Sequence, residues 1–215
     1  MSVFLQLVLP FNLPALAGIR FLAGILALTS WLSITLQWSL MYGRSAYPIR
    51  QTLARFFGYF TILSNILVAF VFTAWFIYPC TSITNTVAAV FTTAICVYII
   101  IVGAIYHLVL RKSFPLAGLD KLANALLHTW LPVCYVLFWF LLVPQGMLHL
   151  RLALYFLILP LAYLGYILLL GHRTTHYPYS FINVLEMGYP KVIRNAFLIA
   201  LGFVLVSAIL IYLKS

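Results

Sequence analysis

Acidic residues are almost missing from this chain. Asp120 and Glu186 are its two carboxylate side chains in 215 residues, and charged residues of all kinds make up 7%. Soluble domains carry about 25% charged side chains, so composition excludes a water-soluble globular fold, and disorder with it. Cysteine is scarce as well. Cys80, Cys96 and Cys134 are the three, two of them in apolar runs, and no Cys-x-x-Cys or zinc-ligand spacing occurs. Neither a disulfide framework nor a metal site is expected. There is no internal repeat, no linker and no low-complexity tract, which leaves one domain spanning 1–215.

What the chain does have is apolar length. Hydrophobic residues reach 66% and aromatics 17%, with a mean hydropathy of +1.14. A helix needs about 20 apolar residues to cross a bilayer core of about 30 Å. Six stretches qualify, at 17–41, 54–78, 86–110, 122–143, 151–171 and 191–213, each bounded by charges, Pro, Gly or Asn. A β-barrel would alternate apolar and polar residues in segments of about ten, and these runs do not. The expected fold is an all-α polytopic bundle of six transmembrane helices.

Twelve Lys and Arg against two acids give a net charge of +10. The basic residues sit between apolar runs, so they read as orientation in a membrane, and no nucleic-acid partner is expected. Arg44, Arg50 and Arg55 flank the first connection, Arg111, Lys112 and Lys121 the third, and Arg173, Lys191 and Arg194 the fifth. Only Arg20, Arg151 and Lys214 fall on the other side. The positive-inside rule then places connections 1–2, 3–4 and 5–6 in the cytoplasm and both termini outside.

Residues 1–14 are apolar but interrupted by Pro10 and Pro14. They read as a retained interfacial lead-in, because no basic segment precedes the small-residue stretch Ala15-Leu16-Ala17. The connection between the fifth and sixth spans, of about 20 residues by this reading, carries Tyr177-Pro178-Tyr179 and Phe181. Such a stretch serves either as an aromatic anchor at the interface or as a lid over a site on that side.

Polar side chains inside the spans are costly and face the bundle interior. In the second span, Thr61 and Asn65 are four apart and share a face, with Ser64 beside them. In the fourth, Asp120, Asn124 and His128 form a stripe in two steps of four. At a rise of about 1.5 Å per residue, Thr61 lies ~9 Å beyond Arg55 and His128 ~12 Å beyond Asp120. Both spans start at the basic side, so the two residues reach similar depth. His107, four residues before Arg111, sits ~6 Å from the same side.

A hydroxyl is a weak nucleophile until a base takes its proton, and a neutral imidazole is the usual base near neutral pH. Thr61 and His128 are the minimal pair for attack on an ester carbonyl. Ser64, Asn65, Asn124 and His107 are candidates to orient the imidazole or contact the oxyanion. Arg55 and Lys121 are candidates to hold a charged head group at the mouth. Each has a plainer reading. Hydroxyls in membrane helices bond to the carbonyl one turn back, an intramembrane His can glue helices, and basic side chains snorkel toward phosphates. Other functions stay open at this point: a haem protein with His107 and His128 as axial ligands, a small transporter, or a non-catalytic scaffold.

Several short motifs occur in a fixed order. They are Phe60-Thr61-x-x-Ser64-Asn65, Tyr106-His107, Leu127-His128-x-x-x-Pro132 with Trp139, Pro160-x-x-Tyr163, Tyr177-Pro178-Tyr179-x-Phe181 and Gly188-Tyr189. In a six-span chain this order resembles the bacterial branch of the androgen-induced membrane hydrolase family, relatives of the androgen-dependent TFPI-regulating protein. The resemblance covers roughly residues 55–200. It implies a threonine hydrolase in the membrane, with fatty acid esters of hydroxy fatty acids as substrates. Thr61 would be its nucleophile and His128 its catalytic histidine. The fit to the animal members is looser around Ser64-Asn65. The resemblance also implies a lipid ester and membrane lipids as partners, no cofactor, and a bacterial inner membrane as the location.

Overall fold

A computed structural model describes residues 13–79, 82–111 and 116–215 of the chain. The segment before Leu13, and with it most of the expected lead-in, lies outside the described residues, as do Cys80 and Lys112. Among the described residues the architecture is an all-α bundle, with six helices long and apolar enough to cross a membrane.

Helix α1 (Leu13–Gly43) is the first span, and α2 (Ile49–Phe56) is a short helix after it. Helix α3 (Phe60–Ile77) is the second span. Helix α4 (Thr86–Ile105) runs on through a π turn at Tyr106–Leu110. Helix α5 (Gly118–Ala125) passes through a second π turn at Leu126–Trp130 into α6 (Leu131–Leu142), making the fourth span. The fifth is α7 (Leu152–Tyr155) followed by α8 (Ile158–Thr174), and the sixth is α9 (Val184–Tyr212).

Hydroxyls are accommodated in these apolar rods by local bonding. Thr29, Ser30, Ser33, Thr35 and Ser39 of α1 each donate to the carbonyl four residues back, at 2.7–2.9 Å. Each of these five hydroxyls thus finds its partner within its own helix. The core between α3, α4 and α6 is aromatic: Phe72 and Trp75 pack on Tyr135 and Phe138 with ring centroids 5.3–6.4 Å apart. Its polar tips are paired, with Trp139 Nε1 donating to Thr93 Oγ1 at 2.8 Å and the Tyr135 hydroxyl to the Thr92 carbonyl at 3.2 Å.

The connections gather by parity, as they must in an up-and-down bundle. At one end Arg44, from the first connection, forks onto Asp120 of α5 at 2.8 and 2.6 Å. At the other, Ile83 N–H donates to the Leu142 carbonyl at 3.1 Å and Gly146 N–H to the Lys214 carbonyl at 2.7 Å.

Two span boundaries differ from the sequence reading for a physical reason. The second span starts at Phe60 rather than 54, because 54–56 belong to α2, an amphipathic helix that buries only Thr52 and Phe56. The fifth connection is nine residues (175–183) rather than about 20, because helix resumes at Val184 under an Asn183 cap. What breaks the apolar pattern there is a kink inside α9, where Gly188 takes φ +74° just before Pro190.

Candidate functional site

The site begins with a break in the chain. After α2 ends, the N–H groups of Phe57 and Gly58 fold back onto the Leu53 and Arg55 carbonyls, and Tyr59 is extended. A Cβ at Gly58 would lie 3.0 Å from the Arg55 carbonyl oxygen, so the turn is tight. Helix α3 restarts at Phe60 with no side-chain cap. Thr61 is therefore the second residue of a helix, in the turn whose N–H groups have no partner within the helix. Its position is not six residues deep in a continuous rod, which is what the sequence count assumes.

His128 comes from the other direction, in the π turn of the fourth span. Pro132 has no N–H to give the carbonyl one turn back, which is that of His128. This carbonyl faces Gly103 of α4, where a Cβ would be 3.1 Å from it, so the missing side chain lets the two helices close. The Tyr106 ring, from the π turn of α4, stacks on His128 with centroids 4.2 Å apart and planes 23° off parallel.

These elements bring Thr61 Oγ1 to 3.4 Å from His128 Nε2. The other ring nitrogen, Nδ1, lies 3.1 Å from the main-chain carbonyl of Asn124. A carbonyl only accepts, so Nδ1 carries the proton and a neutral ring presents the Nε2 lone pair to the threonine. The chain of bonds continues on the far side. Tyr179 Oη is 3.3 Å from Thr61 Oγ1 and accepts the Thr61 N–H at 3.3 Å. With Nε2 as acceptor at one end, the direction is fixed: Tyr179 O–H to Thr61 Oγ, Thr61 O–H to His128. Burial pushes the Tyr179 phenol up to about 12, so it stays protonated at neutral pH.

Thr61 divides two spaces. On one side is a narrow apolar cleft of about 90 Å³ between α4, α8 and α9, walled by Ile105, Leu157, Leu161, Ile199 and Phe203. On the other is a larger cavity of about 390 Å³, with walls that are mostly apolar but include Gln37, Arg111, Asp120, Asn124 and His128, which make it the polar one of the two. Thr61 and Tyr179 line both. A group at Thr61 Oγ can thus have an apolar half in one space and a polar half in the other.

The remaining candidates separate. Asp120, Asn124 and His128 all line the polar cavity, the stripe read from the sequence. Asn124 orients the imidazole through its main-chain carbonyl, while its side chain donates to the Asp120 carbonyl at 3.0 Å. Ser64 donates to the Phe60 and Thr61 carbonyls, as a helix hydroxyl does, and does not line either space. Asn65 is a clamp. Its Nδ2 donates to the Thr61 carbonyl at 2.9 Å and to the Leu127 carbonyl at 3.2 Å, tying α3 to the π turn that holds His128.

His107 is not on the Thr61 side. It meets Thr129 Oγ1 at 3.0 Å on the exposed face. Since both His128 nitrogens face other groups, the two imidazoles do not form an axial pair. Arg55 lies over the Tyr47 ring at 3.6 Å, and Lys121 is exposed and outside both walls. Among the described residues, the cation at the polar cavity is Arg111.

Sequence reasoning left Tyr179, Arg111, Gln37 and Tyr106 without a place in the site. Gln37 was findable, being an amide inside an apolar span. Tyr179 had only the aromatic, proline-containing stretch around it as a signal. Compared with known proteins, the chain matches no family model, no curated protein and no solved structure.

Proposed function

We propose that this protein is an intramembrane threonine hydrolase that cleaves lipid esters, such as fatty acid esters of hydroxy fatty acids. The observation that carries the reading is the Thr61–His128 pair at 3.4 Å, its imidazole held in the base tautomer by Asn124. That distance is long for a formed O–H···N bond, and such bonds tighten when substrate binds. The division between an apolar cleft and a more polar cavity at Thr61 supports an ester with an apolar acyl half. The order of motifs, which resembles that of androgen-induced membrane hydrolases, supports the same chemistry.

In this scheme the acyl chain lies in the cleft by Leu161 and Phe203, and the alcohol half lies toward Arg111. His128 takes the Thr61 proton as Oγ attacks the carbonyl carbon. The tetrahedral intermediate collapses, the ester C–O bond breaks, and the leaving alkoxide takes the proton from His128. Water entering by the polar cavity is then activated by the same imidazole and releases the acid. Arg111 offers its charge to a free carboxylate on the alcohol half. The basic end faces the cytoplasm, by the excess of Lys and Arg there, and a bacterial inner membrane is the location that the family resemblance implies.

The test is hydrolysis by detergent-purified protein of a fatty acid ester of a hydroxy fatty acid and of a chromogenic long-chain ester. Wild-type turnover is expected, with Thr61→Val and His128→Ala each lowering kcat by about 10²–10⁴-fold while remaining folded. An inert wild type, or variants as fast as it, overturns the reading and leaves the pair a structural link.

A further inference from the structure

The hydrolase reading leaves one need unmet. Attack on an ester carbonyl puts negative charge on its oxygen, and in a water-poor site a donor must meet that charge. The amides that the sequence offered for this role are occupied. Asn65 Nδ2 spans two main-chain carbonyls, and Asn124 Nδ2 is on that of Asp120. Ser64 donates within its own helix.

We propose that Tyr179 is a catalytic residue whose phenol O–H donates to the carbonyl oxygen as it becomes the oxyanion. This rests on the hydrolase reading above. The phenol oxygen is 3.3 Å from the attacking Oγ1, and the new oxyanion will be one carbon away from that same Oγ. In the resting site the hydroxyl donates to Thr61, and on attack that donor is released toward the substrate.

Two features prepare it. Thr61 N–H, from the uncapped first turn of α3, donates into the phenol oxygen at 3.3 Å and makes its O–H a stronger donor. The ring is held by a stacked contact with Phe181 at 5.1 Å and an edge contact with Tyr59 at 5.7 Å. Neither contact involves the hydroxyl, so removing the oxygen leaves the ring packed.

Electrons and protons balance without Tyr179 changing its own charge. The Thr61 Oγ–carbon bond forms, the carbonyl π pair moves to oxygen, and the Thr61 proton goes to His128. On collapse the pair returns, the ester C–O bond breaks, and the proton leaves with the alkoxide. Tyr179 keeps its proton throughout and shares it with the oxyanion.

The test compares Tyr179→Phe with wild type in full-length protein, using the chromogenic ester and two inhibitors. One is a long-chain trifluoromethyl ketone, which Thr61 converts to a charged tetrahedral adduct. The other is the matching dialkyl ether, which cannot form one. Tyr179→Phe is expected to lower kcat about 10²–10³-fold with KM within a few-fold. It should weaken the ketone by a similar factor and leave the ether unchanged. Unchanged kcat in a folded variant overturns the proposal and leaves the hydrolase reading standing. Equal weakening of ketone and ether also overturns it, since that marks a packing role. An inert wild type overturns both readings. Should Tyr179→Phe fail to fold, Tyr179→3-fluorotyrosine replaces it. That stronger donor is expected to tighten the ketone over the ether, and no difference overturns the proposal.

Discussion

The imidazole of His128 is oriented by the main chain of Asn124, with Nδ1 at 3.1 Å from a carbonyl one turn earlier on the same span. An orienting group of this kind cannot be removed by changing a side chain, and it cannot ionise. It differs in that respect from the carboxylate of a serine-hydrolase triad.

Asn124→Ala should therefore leave hydrolysis within about threefold of wild type, well short of the loss when a general base is removed. The carbonyl stays, and only the side-chain bond to Asp120 is lost. Steady-state kinetics on the chromogenic ester check this. A drop as large as that of His128→Ala would mean that the amide side chain takes part.

Asn65 ties two helices through one amide nitrogen, with the residue wholly buried. Asn65→Leu removes both bonds and should destabilise the fold by about 1–3 kcal/mol. It should also widen the Thr61–His128 separation, so activity falls even at temperatures where the variant stays folded. Thermal unfolding in detergent and single-turnover rates together measure the two effects.

Gly171 carries the ring of Tyr177, and a Cβ there would collide with it. Tyr177 lies two residues from Tyr179 on the 175–183 connection. Gly171→Val is thus expected to displace that connection and lower kcat while the spans stay intact. Protease cleavage within 175–183 should rise, with circular dichroism unchanged. Wild-type kcat would show that Tyr177 does not hold the site.

His176 supplies a pH dependence. Burial, with Arg55 nearby, lowers its pKa below the ordinary 6.5. Between that folded value and 6.5 the unfolded chain binds the proton and the folded one does not, so stability rises with pH there. The contribution is complete above 6.5 and is lost as pH falls toward the folded pKa. Melting temperatures from pH 7.5 down to 5 should fall less for His176→Gln than for wild type.

Most of the fold was legible because lipid punishes exposed polar backbone and makes apolar length decisive. The pairing of Thr61 with His128 was named from the sequence, but the count from Arg55 behind it assumes a continuous helix, which the turn at Gly58 breaks. The start of α3 was not legible. Ala54, Phe56 and Phe57 around Arg55 are apolar enough to extend the span, and only the turn at Gly58 separates them from it. The face of His107 was hidden for a related reason. Face assignments count residues on an α-helix, whereas Tyr106–Leu110 is wound wider. Tyr179 was legible only as part of an anchor or lid and not as the partner of Thr61, because it lies on a connection, where local sequence says little about which helix end a ring will meet.

The wide turn at Leu126–Trp130 makes the fourth span a rod in two phases. Upstream of it Asp120 and Asn124 face the polar cavity, and downstream Tyr135 and Trp139 face the aromatic core. A wide turn of this kind takes up one extra residue within an otherwise continuous helix. Deleting Leu126 would let the span close into an unbroken α-helix, with the upstream face in nearly its present direction. Each residue of an α-helix advances about 100° around the axis, so the same deletion in α6, at Val136 for instance, would turn one face by about that angle against the other. The wide turn is thus the place where this span can change length by one residue and keep both its packing and its cavity wall.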